Sequence, residues 1–560
     1  MRYIPRSVVL VAGCILFTGL SFPQGRGGGA AWNTGSGDAQ RNASARTDDR
    51  ISAASMPGFQ FLWKVKANNA AKGSYSLSAP VMVDRYIGYR GFRSYAFFGG
   101  ASNTAVALDT DLGRVEWTQN LGATPQAATA ACPGAMTAGV TRSTPLAPPE
   151  PVAGAGRGGG GRGAGAVSGV SEPGAGAVTI GQGRGGGRGG AAGGSGAAGR
   201  GGRGGGRGAI GASGAARGGG GGRQAEAVYA VSTDGMLRTL YISNGEAAKP
   251  PVRFLPADAN ASGLMLVDDV MYASTSGNCN GVPNGVWAMD LAEAAPAAKH
   301  WSTNGGGVAG TVGPALGTEG VVYAATEDGD YSPSAFSDSV VALDPKSLEL
   351  KDWFTPGKSA FTSSPVVFSH KEGDKERDLI AVANKDGNLY LLDSAALGGA
   401  DHKTPLASIH YANSGADAGA LSTWESAAGT RWVLVGATGA VTNGTGSGGA
   451  IVAFKVADQN GKLSLQPGWV SRDIASPLSP IVIDGIVFTA ASGAGSKPGV
   501  LYALDGATGK ELFNSGSTIT GPVPHSSGIS GSGGQIYIST ADSTIYAFGI
   551  PLVSPALAAK

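Results

Sequence analysis

The chain is 560 residues long with a formal net charge of +2, so bulk charge points to neither nucleic acid nor an acidic partner. Its outlier is glycine, with 96 residues, many of them in one segment. Three cysteines in no CxxC or CxxCH arrangement leave a paired-cysteine zinc site and covalent haem without support.

In chain order, Arg2 and Arg6 precede an apolar run from Val8 to Leu20, which gives way to the breakers of 21–29. That order predicts a signal peptide and cleavage region over 1–30, and a periplasmic or secreted mature chain. The run is too short to span a bilayer comfortably, and no later stretch predicts a transmembrane helix. Val11-Ala-Gly-Cys14 also matches a lipoprotein box. Ile15, Leu16 and Phe17 continue the apolar run beyond it, so lipid anchoring at Cys14 is the less favoured reading. Removal of the signal leaves Cys132 and Cys279, either joined as a disulfide or separate as two thiols.

After a lead-in over 31–58, the chain from 59 to 550 alternates short β-rich runs with Gly, Asp, Asn and Pro turns, and a tail follows at 551–560. One phrase recurs: a strand ending in a Leu-Asp-like pair, a turn, then an aromatic. It is clearest in 104–117 and 500–513. Its second residue falls at Asp109, Tyr241, Asp290, Asp344, Asp393, Lys455, Asp505 and Gly549, with steps of 49, 54, 49, 62, 50 and 44 residues from Tyr241 onward. The first step, 132 residues, shrinks to about one blade when the Gly-rich stretch 153–223 is set aside. Blades open on a small-residue and proline phrase, as at Ser78, Ser143, Ser363 and Leu478.

These spacings predict an all-β fold, an eight-bladed β-propeller of four-stranded antiparallel blades. Blade eight lacks its own outer strand, and Phe59-Gln-Phe-Leu-Trp-Lys-Val65 stands unpaired before blade one; together they predict that the N-terminal strand closes the ring. The stretch 153–223 carries nine arginines against Glu172, a local charge of +8, and cannot bury a core. It reads as a disordered insertion. Exported chains rarely meet RNA, so its Arg-Gly-Gly runs are not assigned to nucleic acid.

The repeat resembles that of the pyrroloquinoline-quinone (PQQ) propeller family, A-x-D-x-x-T-G-x-x-x-W. Ala503, Asp505, Thr508 and Gly509 match, with Phe513 in the Trp place; Ala107, Asp109, Gly113 and Trp117 match, with Leu112 in place of Thr. Trp63, Trp301, Trp353 and Trp469 look like the same aromatic in other blades, and the resemblance implies that it docks between neighbouring blades. The lead-in from Trp32 to Arg41 is similar to the segment before the first blade of quinoprotein dehydrogenases. It is read here as packing on the propeller and seating the closing strand.

The resemblance is unspecific for function. The vicinal cysteines of PQQ alcohol dehydrogenases are absent, and no metal-binding or catalytic carboxylate can be carried over. GxSxG, HExxH and P-loop motifs are missing, and the five histidines have no ligand-like spacing. Candidates for an axial pocket are Trp424, Glu425 and His525, which interrupt the apolar pattern where blades open; the bland alternative is that they plug the channel. Asp328, Asp330 and Asp338 read as a solvated acidic turn, without EF-hand spacing.

The preferred function is an exported, non-catalytic, monomeric platform that binds or assembles a protein partner in the cell envelope, similar to the propellers of outer-membrane barrel assembly. The alternative is a PQQ-dependent dehydrogenase passing electrons to an external acceptor. The cofactor is left open, with PQQ and calcium as the candidate.

Overall fold

A four-stranded sheet with two apolar faces cannot stand alone in water, and eight of them in series satisfy one another only as a ring. The computed structural model describes residues 32–551 except 46–47, 49, 72–74, 89–90, 123–131, 133–138, 147–226, 373–374, 460 and 494–496. The expected signal peptide, Cys14, the insertion at 153–223 and most of the tail lie outside the described residues.

The eight blades follow chain order. Blade 1 is Val81–Gly88, Gly91–Gly100, Thr104–Asp109 and Arg114–Asn120; blade 2 is Val140–Thr141, Ala227–Val231, Met236–Tyr241 and Ala247–Arg253. Blade 3 runs from Ala261 to Ser302, blade 4 from Ala315 to Phe354, blade 5 from Val366 to His410 and blade 6 from Ser422 to Val470. Blade 7 spans Ile481 to Asn514. In blade 8, Ile529–Ser532, Gln535–Ser539 and Thr544–Gly549 are joined by the N-terminal strand Gln60–Lys66, antiparallel to Thr544–Gly549. The two chain ends therefore close the ring in one sheet, as the unpaired N-terminal strand predicts.

Within a blade the strands alternate in direction. Turns after the first and third strands gather on one face of the ring, here the hairpin face. Turns after the second strand and the linkers between blades gather on the other, the linker face.

One opening phrase behaves differently. Ser143-Thr-Pro does not open blade 2, whose inner strand is Val140–Thr141; instead Ser143–Thr144 crosses to pair, parallel, with Ala261–Val267 of blade 3. Between them Arg142 Nη1 donates to Asn33 Oδ1 at 2.8 Å and to Met82 O at 2.7 Å, which holds the chain toward the axis and ends the strand.

The recurring Asp caps the turn that follows it. Asp109 Oδ1 accepts the amides of Asp111 and Leu112 at 3.1 and 3.0 Å, and Asp505 Oδ1 accepts those of Ala507 and Thr508 at 3.1 and 2.9 Å. In blades 1, 2 and 7 the turn after the third strand reaches a glycine in the left-handed region, at φ +61° in Gly113, +72° in Gly245 and +71° in Gly509. The outer-strand indole of the preceding blade lies flat on it: Trp63 on Gly113, Trp117 on Gly245 and Trp469 on Gly509, where any Cβ would overlap the ring. Trp117 Nε1 donates to Ile242 O at 2.8 Å, and Trp469 Nε1 to Gly506 O at 3.0 Å.

The other outer-strand aromatics lie at seams as well. Trp301 and Trp353 flank Phe336 at 5.9 and 5.7 Å, Trp353 stacks on His402 of blade 5 at 3.7 Å, and Phe513 packs on Phe59 and Phe548 at 4.9 and 6.1 Å.

Cys132, in the linker into blade 2, and Cys279, after the second strand of blade 3, form a disulfide on the linker face, with Cα atoms 5.5 Å apart. Trp117→Ala should cost about 3–5 kcal/mol, read as a lower urea midpoint at unchanged slope. Reduction of the Cys132–Cys279 bond, which closes a loop of sequence separation 147, should cost about 2–5 kcal/mol, read as a lower thermal midpoint in dithiothreitol.

Candidate functional site

The lead-in does more than rest on the propeller: it travels around the axis and bonds every blade in turn. Trp32 O accepts Met82 N of blade 1 at 2.7 Å, and Asn33 O accepts Arg142 N of blade 2 at 2.8 Å. Thr34 Oγ1 donates to Leu264 O of blade 3 at 3.0 Å. Ala39 O, Gln40 O and Asn42 O accept Leu316 N, Val367 N and Thr423 N of blades 4, 5 and 6 at 2.8, 2.9 and 3.0 Å. Ala43 O accepts Val482 N of blade 7 at 2.8 Å, and Asp48 Oδ2 accepts Gly534 N of blade 8 at 2.7 Å.

Arg41 pins this circuit from inside. It is 1% exposed, with Nε on Pro314 O at 2.9 Å, Nη1 on Thr34 Oγ1 and Gly35 O at 2.8 and 2.7 Å, and Nη2 on Gly263 O at 3.0 Å. Burial brings its guanidinium down to about 9, opposed by the Asp38 carboxylate. On the linker face the linker into blade 4 reaches past blade 5, donating Thr311 N to Gly419 O of blade 6 at 3.2 Å and Val312 N to Ser364 Oγ at 3.1 Å. Main chain thus occupies much of the axis.

The three residues singled out for an axial pocket are not brought together. Trp424 turns into the seam between blades 6 and 7, stacked 6.4 Å from Trp432 and against Gly485, because a 9%-exposed indole gains more from that apolar seam than from the wet axis. Glu425 lies 3.3 Å from Arg431 on the next strand. His525 opens the turn His525–Ser527 into blade 8 and shares a hydrogen bond with Ser476 at 3.0 Å; burial lowers its ring below the usual histidine range, with Asp417 opposing.

These residues do not fit a quinone held over a calcium ion. The axis offers mainly amides, carbonyls, small side chains and the committed Arg41, and among the described residues no three His, Cys, Asp or Glu side chains group as metal ligands.

The acidic turn divides. Asp328 and Asp330 are exposed, but Asp338 is 1% exposed, with neither carboxylate oxygen hydrogen-bonded among the described residues. Its main chain at φ +53° follows the short hairpin Tyr331–Phe336, which folds back over Phe336 and carries the carboxylate inward. Burial first, and then Asp328, push it up to about 6.

A cleft with a polar lining sits on the hairpin face, at the seam between blades 8 and 1. Arg50, Asp84, Arg85, Ser94, Asp111 and Gln535 line about 210 Å³. Arg50 Nη1 donates to Gly533 O at 2.7 Å, Ser94 Oγ to Asp84 Oδ1 at 2.8 Å, and Gln535 Nε2 to Thr110 O at 3.3 Å. Burial, with Asp109 and Asp84 adding to it, raises the Asp111 carboxyl. Both signs of charge and an amide around one opening suit a polar partner. No motif announced this cleft, since residues 50, 84 and 535 meet only when the ring closes.

No family model matches the chain, and no curated protein matches it. Solved structures do. Quinohemoprotein alcohol dehydrogenase from Comamonas testosteroni is 14% identical, with a TM-score of 0.54 over 93% of this chain and 80% of that one. Quinohemoprotein alcohol dehydrogenase ADHIIG from Pseudomonas putida HK5 is 12% identical, with a TM-score of 0.53 over 94% and 81%. BamB from Moraxella catarrhalis is 11% identical, with a TM-score of 0.45 over 89% and 99%.

Arg41→Met should cost about 2–4 kcal/mol, since three carbonyls lose a buried donor, and amide exchange should quicken selectively over 32–45. A carboxyl raised from 3.8 to about 6 on folding favours the folded state most below pH 3.8 and loses that contribution as pH rises through 6. Asp338→Asn should therefore raise the denaturation midpoint at pH 7.5 and flatten its pH dependence between 4 and 6. At these identities the likeness establishes architecture alone: this chain is an eight-bladed β-propeller with the fold of the PQQ quinoprotein dehydrogenases.

Proposed function

We propose that the chain is an exported, non-catalytic propeller that serves as a binding or assembly platform in the cell envelope. The observation that carries this reading is the axis itself, where the chain's own lead-in bonds the inner strands of blades 1 to 7 and the first turn of blade 8. In a propeller the axis is the default place for a ligand that reacts. Here the polar opening lies off the axis instead, at the seam of blades 8 and 1, where a partner's side chains can reach Asp84, Asp111, Arg85 and Gln535. The Cys132–Cys279 bond supports an oxidising compartment such as the periplasm. None of the described helices is long and apolar enough to cross a membrane.

The second reading is a PQQ-dependent oxidoreductase with an external electron acceptor. It is favoured by the TM-scores of 0.54 and 0.53 to quinohemoprotein alcohol dehydrogenases, a likeness of fold.

A photo-crosslinking residue at position 111 in cells should capture one discrete envelope protein, and Asp84→Lys combined with that label should reduce capture severalfold. Titration of the purified mature chain with PQQ and calcium decides the alternative. Saturable, calcium-dependent quenching of Trp fluorescence by the quinone would overturn the platform reading.

A further inference from the structure

Four blades place a buried apolar pair near the hairpin end of their first two strands. In blades 1, 5, 6 and 7 it begins on the residue after the amide that the lead-in bonds. The pairs are Val83 with Tyr95, Phe368 with Leu379, Trp424 with Trp432, and Ile483 with Ile486. The two-residue turn 533–534 of blade 8 stands where blade 7 has 484–485, so the same two places fall to Ser532 and Gln535. Both are as buried as the apolar pairs, at 5% and 4% exposure. A polar group in such a place is costly unless its atoms are bonded. Gln535 Nε2 donates to Thr110 O at 3.3 Å, but Oε1 has no hydrogen bond among the described residues.

That oxygen belongs to the cleft at the seam of blades 8 and 1, where Asp84 and Asp111 supply carboxylates and Met82 and Val83 an apolar wall. Ser94 ties the two carboxylates together, by its hydroxyl to Asp84 at 2.8 Å and by its backbone amide to Asp111. Burial, and then the charges of Asp109 and Asp84, oppose ionisation of Asp111.

The positive charge nearby is committed. Arg50 gives Nη1 to Gly533 O at 2.7 Å and Nη2 to Ile550 O, and Arg93 lies 3.4 Å from Asp109. Arg85 stands at the rim, 67% exposed and 3.7 Å from Asp84. With Asp48, whose Oδ2 accepts Gly534 N at 2.7 Å, four carboxylates meet three guanidiniums here, a balance of −1.

An ammonium group suits what is left. It has three donors and no acceptor, which matches Asp84, Asp111 and Gln535 Oε1. Those are three separate acceptors, whereas a guanidinium fork is matched by the paired oxygens of one carboxylate. The alkyl stem of such a group can lie along Met82 and Val83. The cleft, about 210 Å³, has room for one chain of this kind.

We propose that the cleft is an alkylammonium site that receives a lysine side chain of the partner, held by Asp84, Asp111 and Gln535 Oε1. This rests on the platform reading for the partner, while the ammonium site itself can be tested without one.

The test titrates the purified mature chain with Nα-acetyl-lysine methylamide, followed by saturation-transfer NMR, beside the same probe acetylated at Nε and beside calcium chloride. The lysine probe should bind saturably in the millimolar range, and the Nε-acetylated probe should not. Asp111→Asn, in an exposed turn, should weaken binding about tenfold, as should Gln535→Met, each with a folded circular-dichroism spectrum. No saturation by the lysine probe overturns the proposal. So does equal binding of the Nε-acetylated probe, or a folded Asp111→Asn that binds like wild type. Calcium that displaces the probe at lower concentration overturns it too, since the cleft would then be a divalent-cation site. Crosslinking from position 111 reads the platform separately. Capture without lysine binding overturns this inference alone, and lysine binding without capture upholds the ammonium site while overturning the platform.

Discussion

A buried arginine at the centre of the ring sets the constraint on which the rest of the axis depends. Among the described residues no carboxylate is hydrogen-bonded to Arg41; it is held by carbonyls of the lead-in, of blade 3 and of the linker into blade 4. A guanidinium taken out of water needs every donor satisfied, so the backbone around it has little freedom. The lead-in must curve as it does, and once it curves its own carbonyls face the amides of the inner strands. Those amides would otherwise be an unpaired ladder edge inside the channel. One segment therefore solves two problems, the solvation of a charge and the pairing of the inner strands of blades 1 to 7.

At the rim a different interaction repeats. An indole from one blade lies on a left-handed glycine of the next, and the capping Asp fixes the turn that presents it. The same contact closes the ring between Trp63 of the N-terminal strand and Gly113 of blade 1. Departures from the repeat then become informative. Leu112 stands exposed at the place where Thr508 of blade 7 bonds Asp505, so the turn of blade 1 lacks that side-chain bond.

Repeat spacing made the eight blades, the closing strand and the docking aromatics legible, because each of those features returns at a fixed interval and owes its form to local turn chemistry. The pairing of Cys132 with Cys279 was one of two open readings, decided when the linker into blade 2 and a loop of blade 3 met. Trp424 shows the limit of pattern reading. An aromatic in an opening strand can face the axis or the seam, and the choice depends on the small residues Gly485 and Gly506 of another blade. Asp338 looked like the last member of a solvated turn, and a two-residue pairing nearby carried it inside.

By itself, then, the sequence determined the architecture: how many blades, where each turn is capped, and which strand must travel to close the ring. Those are properties of short stretches, written again in every repeat. Tertiary structure decided what lies between blades and along the axis. The circuit of the lead-in, the burial of Arg41 and the cleft of Arg50, Asp84 and Gln535 join residues hundreds of positions apart. No local rule encodes such meetings, which exist only because a closed ring brings its first and last segments side by side.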